Sequence, residues 1–483
     1  MHHHTSTVLR PVARAARMAV AGVALAATAL HVAAAPASSV PDPSADAQAS
    51  EKRIVLDNAP LPSMTPSMTP PTTPTTPPSP TAQGAPGAAV VAPTAASGAG
   101  TPVASAWHDA VTAATLGDLG LALLRLPSAG PGPRNVAYSP WSVASALALV
   151  HAGSAAAAAS ELSALVEPAV AGGQFYTRRL PALMQRLDAA PGGHVRTANR
   201  LWLRADVASS VPGTYAALTR ERFGADVGLY SRGGEPARAA INEWVSARTS
   251  GAVPQLLPAG SVTPTTKLVL VNAVHFKSPW ARPFDPRATV PRPFATPDGP
   301  QPVPTMVGER AVRRGSVDGM EVIEIPFVDR VHALRVAMPA RTEPLPAAEQ
   351  RLAGADLASW GDRLEPGTCR VHLPRFSVAA QAQSLKPPLA ALGVRTVFSD
   401  RADLRPMLGR AATGAQVDDV FHAASVVIDE RGGEAAAGTA ATVMAKSLAM
   451  PAPDCVVDRP FLFAIVHVDS GTPLFVGRVT DPR

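Results

Sequence analysis

One tract decides where this chain can fold. Between Pro60 and Pro80 the sequence runs PLPSMTPSMTPPTTPTTPPSP, and mixtures of glycine, alanine and proline follow to Pro102. Such a stretch has too few apolar side chains to repay the entropy of ordering it, and its prolines favour an extended spacer. Residues 36–105 are therefore expected to form a disordered linker. Folding is confined to residues 106–483, enough chain for one large core.

The segment before the linker reads as an export signal. Arg10, Arg14 and Arg17 precede an uncharged run from Met18 to Ala35 that ends His31-Val32-Ala33-Ala34-Ala35. A basic start, an apolar middle and small closing residues suit a cleaved signal peptide over 1–35. The run is also long enough to serve, uncleaved, as a membrane anchor. The expected location is secreted and extracellular, or the cell envelope if the anchor is kept. These three arginines account for half of the formal net charge of +6, so the body is only mildly basic. It has no dense Lys/Arg run interleaved with aromatic residues, and nucleic acid is not expected as a partner.

Beyond the linker, helical spacing of apolar residues marks Trp141 to His151 and Ala239 to Arg248. Short β-rich runs follow at Lys267 to Asn272, Glu321 to Phe327, His332 to Met338, Val371 to Ser377 and Pro460 to Val468. Helices dominate the first half and strands the second, with little βαβ alternation, which predicts an α+β domain with large, mainly antiparallel sheets. Two cysteines, Cys369 and Cys455, make no disulfide framework and no metal spacing. They are expected to be free, buried thiols, with pairing in an exported protein as the alternative. Catalytic signatures are missing too: there is no GxSxG, HExxH, CxxC or phosphate-binding glycine loop, and the twelve histidines are scattered. No enzyme activity, cofactor or metal is expected.

The unusual feature is a loop. Val426-Val427-Ile428 is an apolar strand, and from Gly432 the chain becomes a run of very small residues without proline up to Ala445. Were it extended with Glu434 facing water, then Gly433, Ala435, Ala437, Thr439, Ala441 and Val443 would share the other face. That face is small and uncharged, so it could slide into a packed sheet with little overpacking. From these residues alone an alanine-rich flexible loop, or a helix, is the plainer reading.

Set beside its neighbours, this stretch resembles the hinge of an inhibitory serpin: Glu430, Arg431, Gly432, Gly433 and then Glu434-Ala435-Ala436-Ala437-Gly438-Thr439. Other motifs of the family follow in order. Asn135-Val136-Ala137-Tyr138-Ser139-Pro140-Trp141-Ser142 resembles the serine-bearing start of its first long helix, and Asn199-Arg200-Leu201-Trp202-Leu203 follows in the expected order. Phe276-Lys277-Ser278-Pro279-Trp280 resembles the stretch carrying its breach tryptophan, and Asp458-Arg459-Pro460-Phe461 with Phe475-Val476-Gly477-Arg478-Val479 its closing strands. The resemblance covers about Ala106 to Arg483.

It implies three β-sheets with eight to nine helices and an exposed reactive-centre loop. It also implies suicide inhibition of a serine protease: cleavage of the loop, a covalent acyl complex, and insertion of the freed hinge into the central sheet. Ser139, Ser142, Asn272 and His422 match the polar shutter beneath the central strands. Trp280, with the pair Arg375 and Glu430, matches the breach where insertion begins. Two departures stand out: Gly433 where the family carries Thr or Ser, and Cys455 where it carries a larger apolar residue.

The family's hinge-to-bond spacing, seventeen residues from Glu430, lands on the Lys446–Ser447 bond. Those seventeen residues span roughly 55 Å when extended at about 3.3 Å each, comparable to the length of such a domain. A lysine there suits a trypsin-like protease, whose specificity pocket is acidic. A shorter exit loop would move the bond to Ala449–Met450 and suit elastase- or chymotrypsin-like enzymes. The chain is expected to act as a monomer. The alternatives are a non-inhibitory serpin acting as a binding protein, and an envelope-associated scaffold.

Overall fold

The computed structural model describes residues 102–126, 135–166, 174–188, 195–378, 382–433 and 451–483. The expected signal, nearly all of the linker, and the loop residues from Glu434 through Lys446 and Ser447 to Met450 lie outside them.

In chain order the first strands are β1 (Val136–Tyr138), β2 (Val195–Arg204), β3 (Val227–Tyr230), β4 (Leu268–Phe276), β5 (Ser278–Pro279) and β6 (Val290–Thr296). Next come β7 (Gly299–Val317), β8 (Met320–Pro326), β9 (His332–Pro339), β10 (Glu365–Pro374), β11 (Phe376–Val378) and β12 (Gln383–Ser384). The chain closes through β13 (Asp419–Ile428), β14 (Gly432–Gly433), β15 (Asp454–Val456), β16 (Phe461–His467) and β17 (Thr472–Val479). Eleven α-helical segments occur among the described residues, two of them, Ala205–Ala208 and Arg405–Leu408, of a single turn. The expected α+β character is present, with the helix-rich half first.

The strands join into two hydrogen-bonded sheets. One runs β3-β2-β4-β13-β14-β5, with β11 and β12 also on β13. The other runs β1-β17-β16-β9-β8-β7-β10-β15, with β6 also on β7. Three sheets were expected. The nineteen-residue β7 links two of them, because its first part pairs β6 and its last residues pair β8.

A buried helix, α1 (Pro140–Ala152), packs against β4 of the first sheet and β17 of the second. Its residues from Pro140 to Val150 are all buried, as an all-round apolar helix must be. Proline opens it, and the Ser139 side chain caps it by accepting from the Ser142 amide at 3.2 Å. Among the described residues no helix is long and apolar enough to cross a membrane, and no group of His, Cys, Asp and Glu is placed to hold a metal ion.

The cysteines correct an expectation. Cys369 on β10 and Cys455 on β15 form a disulfide, with their Cα atoms 5.8 Å apart. Sequence separation gave no sign of it, because only the fold lays β15 parallel to β10. Closing a loop of that length stabilises the fold by about 4–5 kcal/mol on a chain-entropy account.

Candidate functional site

The predicted shutter residues meet beneath the first sheet. β4 and β13 run parallel, with Asn272 beside His422 in the register. Both side chains are buried, and their hydrogen bonds leave one protonation pattern. The Ser139 backbone N–H can only donate, and it lies 3.3 Å from Nε2 of His422, so Nε2 accepts. The ring proton therefore sits on Nδ1 and donates to Asn272 Oδ1 at 2.5 Å. Asn272 Nδ2 in turn donates to the backbone oxygen of Ser142 at 2.9 Å and to its Oγ at 2.7 Å. Ser139 Oγ donates to the Leu474 carbonyl at 2.6 Å, tying the cluster to β17. Complete burial pushes the His422 pKa down to about 3, so the ring is neutral. The cluster joins β4, β13, α1 and β17 at one point.

At the top of the sheet the residues expected at the breach, Trp280, Arg375 and Glu430, also lie together. The Glu430 carboxylate, buried, receives Arg375 Nε at 2.6 Å and Thr289 Oγ1 at 2.5 Å. Burial pushes this carboxyl up, but the bonds from Thr289 and Arg375 outweigh it and hold it below the usual range. Trp280 stacks on Phe327 with ring centroids 4.7 Å apart and planes 2° from parallel. Its Nε1 donates to the Asp429 carbonyl at 2.8 Å, and its backbone N–H to that of Arg431 at 2.8 Å. Thr289 and Phe327 were not foreseen as breach residues. Thr289 lies in a loop 141 residues from Glu430 and leaves no trace in the sequence pattern.

Between these two clusters the hinge turns back into the sheet. Asp429 Oδ1 accepts from the amides of Arg431 at 2.7 Å and Gly432 at 3.1 Å, closing a tight turn after β13. Gly432 has φ of +140°, and a Cβ there would lie 2.3 Å from the Ser278 carbonyl oxygen, so only glycine fits. Gly433 then pairs antiparallel with Ile428 of β13 on one side and Ser278 of β5 on the other. A Cβ on Gly433 would come 3.0 Å from the Phe276 ring. The departure from Thr or Ser at this position thus has a local reason.

Ile428 and Ser278, the flanks of Gly433, stand at the same sequence offset as His422 and Asn272 lower in the sheet. The two residues of β14 thus occupy the first step of a gap that β4 and β13 close below them. A strand extending from Gly433 needs no slip in register to continue downward. Of the predicted hinge, Glu430, Gly432 and Gly433 are described and lie together. Glu434, Ala435, Ala436, Ala437, Gly438 and Thr439 lie outside the described residues, as does the Lys446–Ser447 bond.

Residues 114–482 match the family model described as Serpin (serine protease inhibitor). The chain is 33% identical over 365 residues to the leukocyte elastase inhibitor of Sus scrofa, covering 72% of this chain and 93% of that protein. It is 31% identical over 314 residues to human antithrombin-III, covering 64% and 67% of the two chains. Among solved structures, native protease nexin-1 with heparin superposes with a TM-score of 0.66 at 24% identity, over 77% of this chain and 99% of that one. The thermophilic serpin tengpin in its native state gives 0.66 at 20%, over 76% and 93%. At these identities the structures speak for the fold alone.

Proposed function

The chain belongs to the serpin family of serine protease inhibitors, and on that premise we propose that it is an exported suicide inhibitor of trypsin-like serine proteases. The observation that carries this reading is Gly433, paired on both sides at the mouth of the β4–β13 gap and in register with the pairs below. Continued in that register, Ala435 would lie between Phe276 and Val426, Ala437 between Val274 and Ala424, and Thr439 between Asn272 and His422. The residues that face the sheet interior in this alternation are all small and uncharged. No proline interrupts the run before Pro451. Both features favour the inhibitory over the non-inhibitory reading.

The target's catalytic serine attacks the carbonyl carbon of Lys446. The bond to Ser447 breaks, the new amine of Ser447 takes the proton, and Lys446 is left as an ester on the protease. The freed hinge then enters the gap, each residue exchanging β4–β13 pairing for two ladders of its own. The drag on the attached protease outruns hydrolysis of the ester. The His422–Asn272 pair is the point the advancing strand has to part.

Export is supported by the paired cysteines, since disulfides persist in oxidising compartments. N-terminal sequencing of exported material is expected to begin near Ala35 to Val40. Incubation with trypsin is expected to give an SDS-stable complex and, once the Cys369–Cys455 disulfide is reduced, a released peptide starting at Ser447. A peptide starting at Met450 would move the specificity toward elastase-like enzymes, and no complex with any serine protease would refute the inhibitory reading.

A further inference from the structure

The loop proposed as the bait has two anchors, and their strengths differ in kind. Its proximal end is β14, two residues held by backbone pairing. Its distal end is β15, three residues at the terminal edge of the second sheet. Backbone bonds hold β15 at Arg370 N to Pro453 O and Val457 N to His372 O, both 2.9 Å. His372 Nε2 also bonds Asp454 Oδ1 at 2.9 Å. An edge strand this short is weakly held by such bonds alone. The Cys369–Cys455 disulfide changes that, because Cys455 is the middle residue of β15 and Cys369 lies on the adjacent β10.

We infer that this disulfide is a clasp with two consequences for loop chemistry. It pins the distal end of the uncut loop to β10, and it keeps the C-terminal segment bonded to the body once the loop is cut. Both follow from connectivity. Between Gly433 and Asp454 the chain is tethered at each end. An uncut loop that ran down the gap between β4 and β13 would have to draw β15 off the edge of β10 to supply its length. The disulfide forbids that movement. A cut anywhere in 434–450 frees the proximal part without asking anything of β15. Insertion is thereby made conditional on cleavage. After the cut, β15, β16 and β17 belong to a separate peptide, and the disulfide is the covalent link between it and the rest of the chain. Cys369 is fully buried and Cys455 nearly so, so the clasp is shielded while β15 stays in place.

The inference rests on the loop being cuttable, and the experiment separates the two ideas. The full chain is nicked briefly with trypsin and denatured in SDS with and without dithiothreitol, which reduces the disulfide to two thiols as it is itself oxidised. Without reductant the cut chain, free or in its SDS-stable complex with trypsin, is expected to keep its C-terminal peptide. With reductant it is expected to split, releasing a C-terminal peptide that begins within the loop. Release without reductant would overturn the clasp. Absence of any cut in 434–450 would instead refute the bait reading, and a second comparison then decides the clasp. Uncut wild type is warmed beside Cys369→Ser/Cys455→Ser, and beside reduced wild type should that variant not fold. Gain of resistance to urea is followed with time. The clasp predicts conversion at least tenfold slower in oxidised wild type, and equal rates would overturn it.

Discussion

Protonating His422 should cost the fold stability in mild acid, and the size of the effect follows from its geometry. In the folded chain Nε2 accepts from the Ser139 amide and Nδ1–H donates to Asn272, so a second ring proton has nowhere to go. Burial sets the folded pKa at about 3, against 6.5 when exposed. Between those values the unfolded chain binds a proton that the folded chain refuses, so stability falls as pH drops from 6.5 toward 3. From pH 7 to pH 5 the loss from this one residue is about 2 kcal/mol. Glutamine can donate to Asn272 and accept from Ser139 without titrating, so His422→Gln is the matched control. Urea unfolding of both proteins at pH 7 and pH 5 gives the comparison. The wild type should lose about 2 kcal/mol more than the variant. A difference below about 0.5 kcal/mol would mean that His422 does not hold β4 to β13 in the neutral form described.

At the hinge, Gly432→Ala places a Cβ against the Ser278 carbonyl at a φ of +140° and should expel β14 from the gap. We expect about 1–3 kcal/mol lower stability and faster loop proteolysis; an unchanged cleavage rate would contradict the described seat. At the breach, Trp280→Ala empties the space stacked on Phe327 and strips the Asp429 carbonyl of its donor. A loss of about 3–5 kcal/mol is expected by thermal unfolding, and a loss under about 1 kcal/mol would place the ring outside the load path of the sheet.

How far the sequence disclosed this structure depended on the physical signal each element left. Trp141 to His151 and His332 to Met338 were legible as apolar runs of helix and strand length, since both elements are buried on every side, and α1 and β9 lie where expected. Ser139, Ser142, Asn272 and His422 carry no local pattern. They were found through the family's ordered motifs, and the hydrogen bonds then joined them. β7 went unread because Pro300, Pro302 and Pro304 occupy its first residues, a composition that argues against a strand. Pairing with β6, itself bearing Pro291 and Pro293, tolerates them at the sheet margin. The disulfide was missed for a different reason: it depends on a parallel contact between β10 and β15, which no spacing in the chain encodes.

On the proposed mechanism the cut loop becomes a strand between β4 and β13. The most direct test is the unfolding temperature of loop-cleaved protein, measured for wild type and for Ala437→Pro. Insertion from Glu434 to Val443 would add about ten net ladder hydrogen bonds, on the order of 10 kcal/mol, which in a domain of this size is a rise of about 10–20 °C. Proline at 437 removes a donor in what would become a central strand and should stop the advance above the His422–Asn272 pair. Cleaved wild type should melt about 10–20 °C above the intact chain, and cleaved Ala437→Pro should gain less than half of that. Equal gains in the two proteins, or no gain in wild type, would contradict this mechanism.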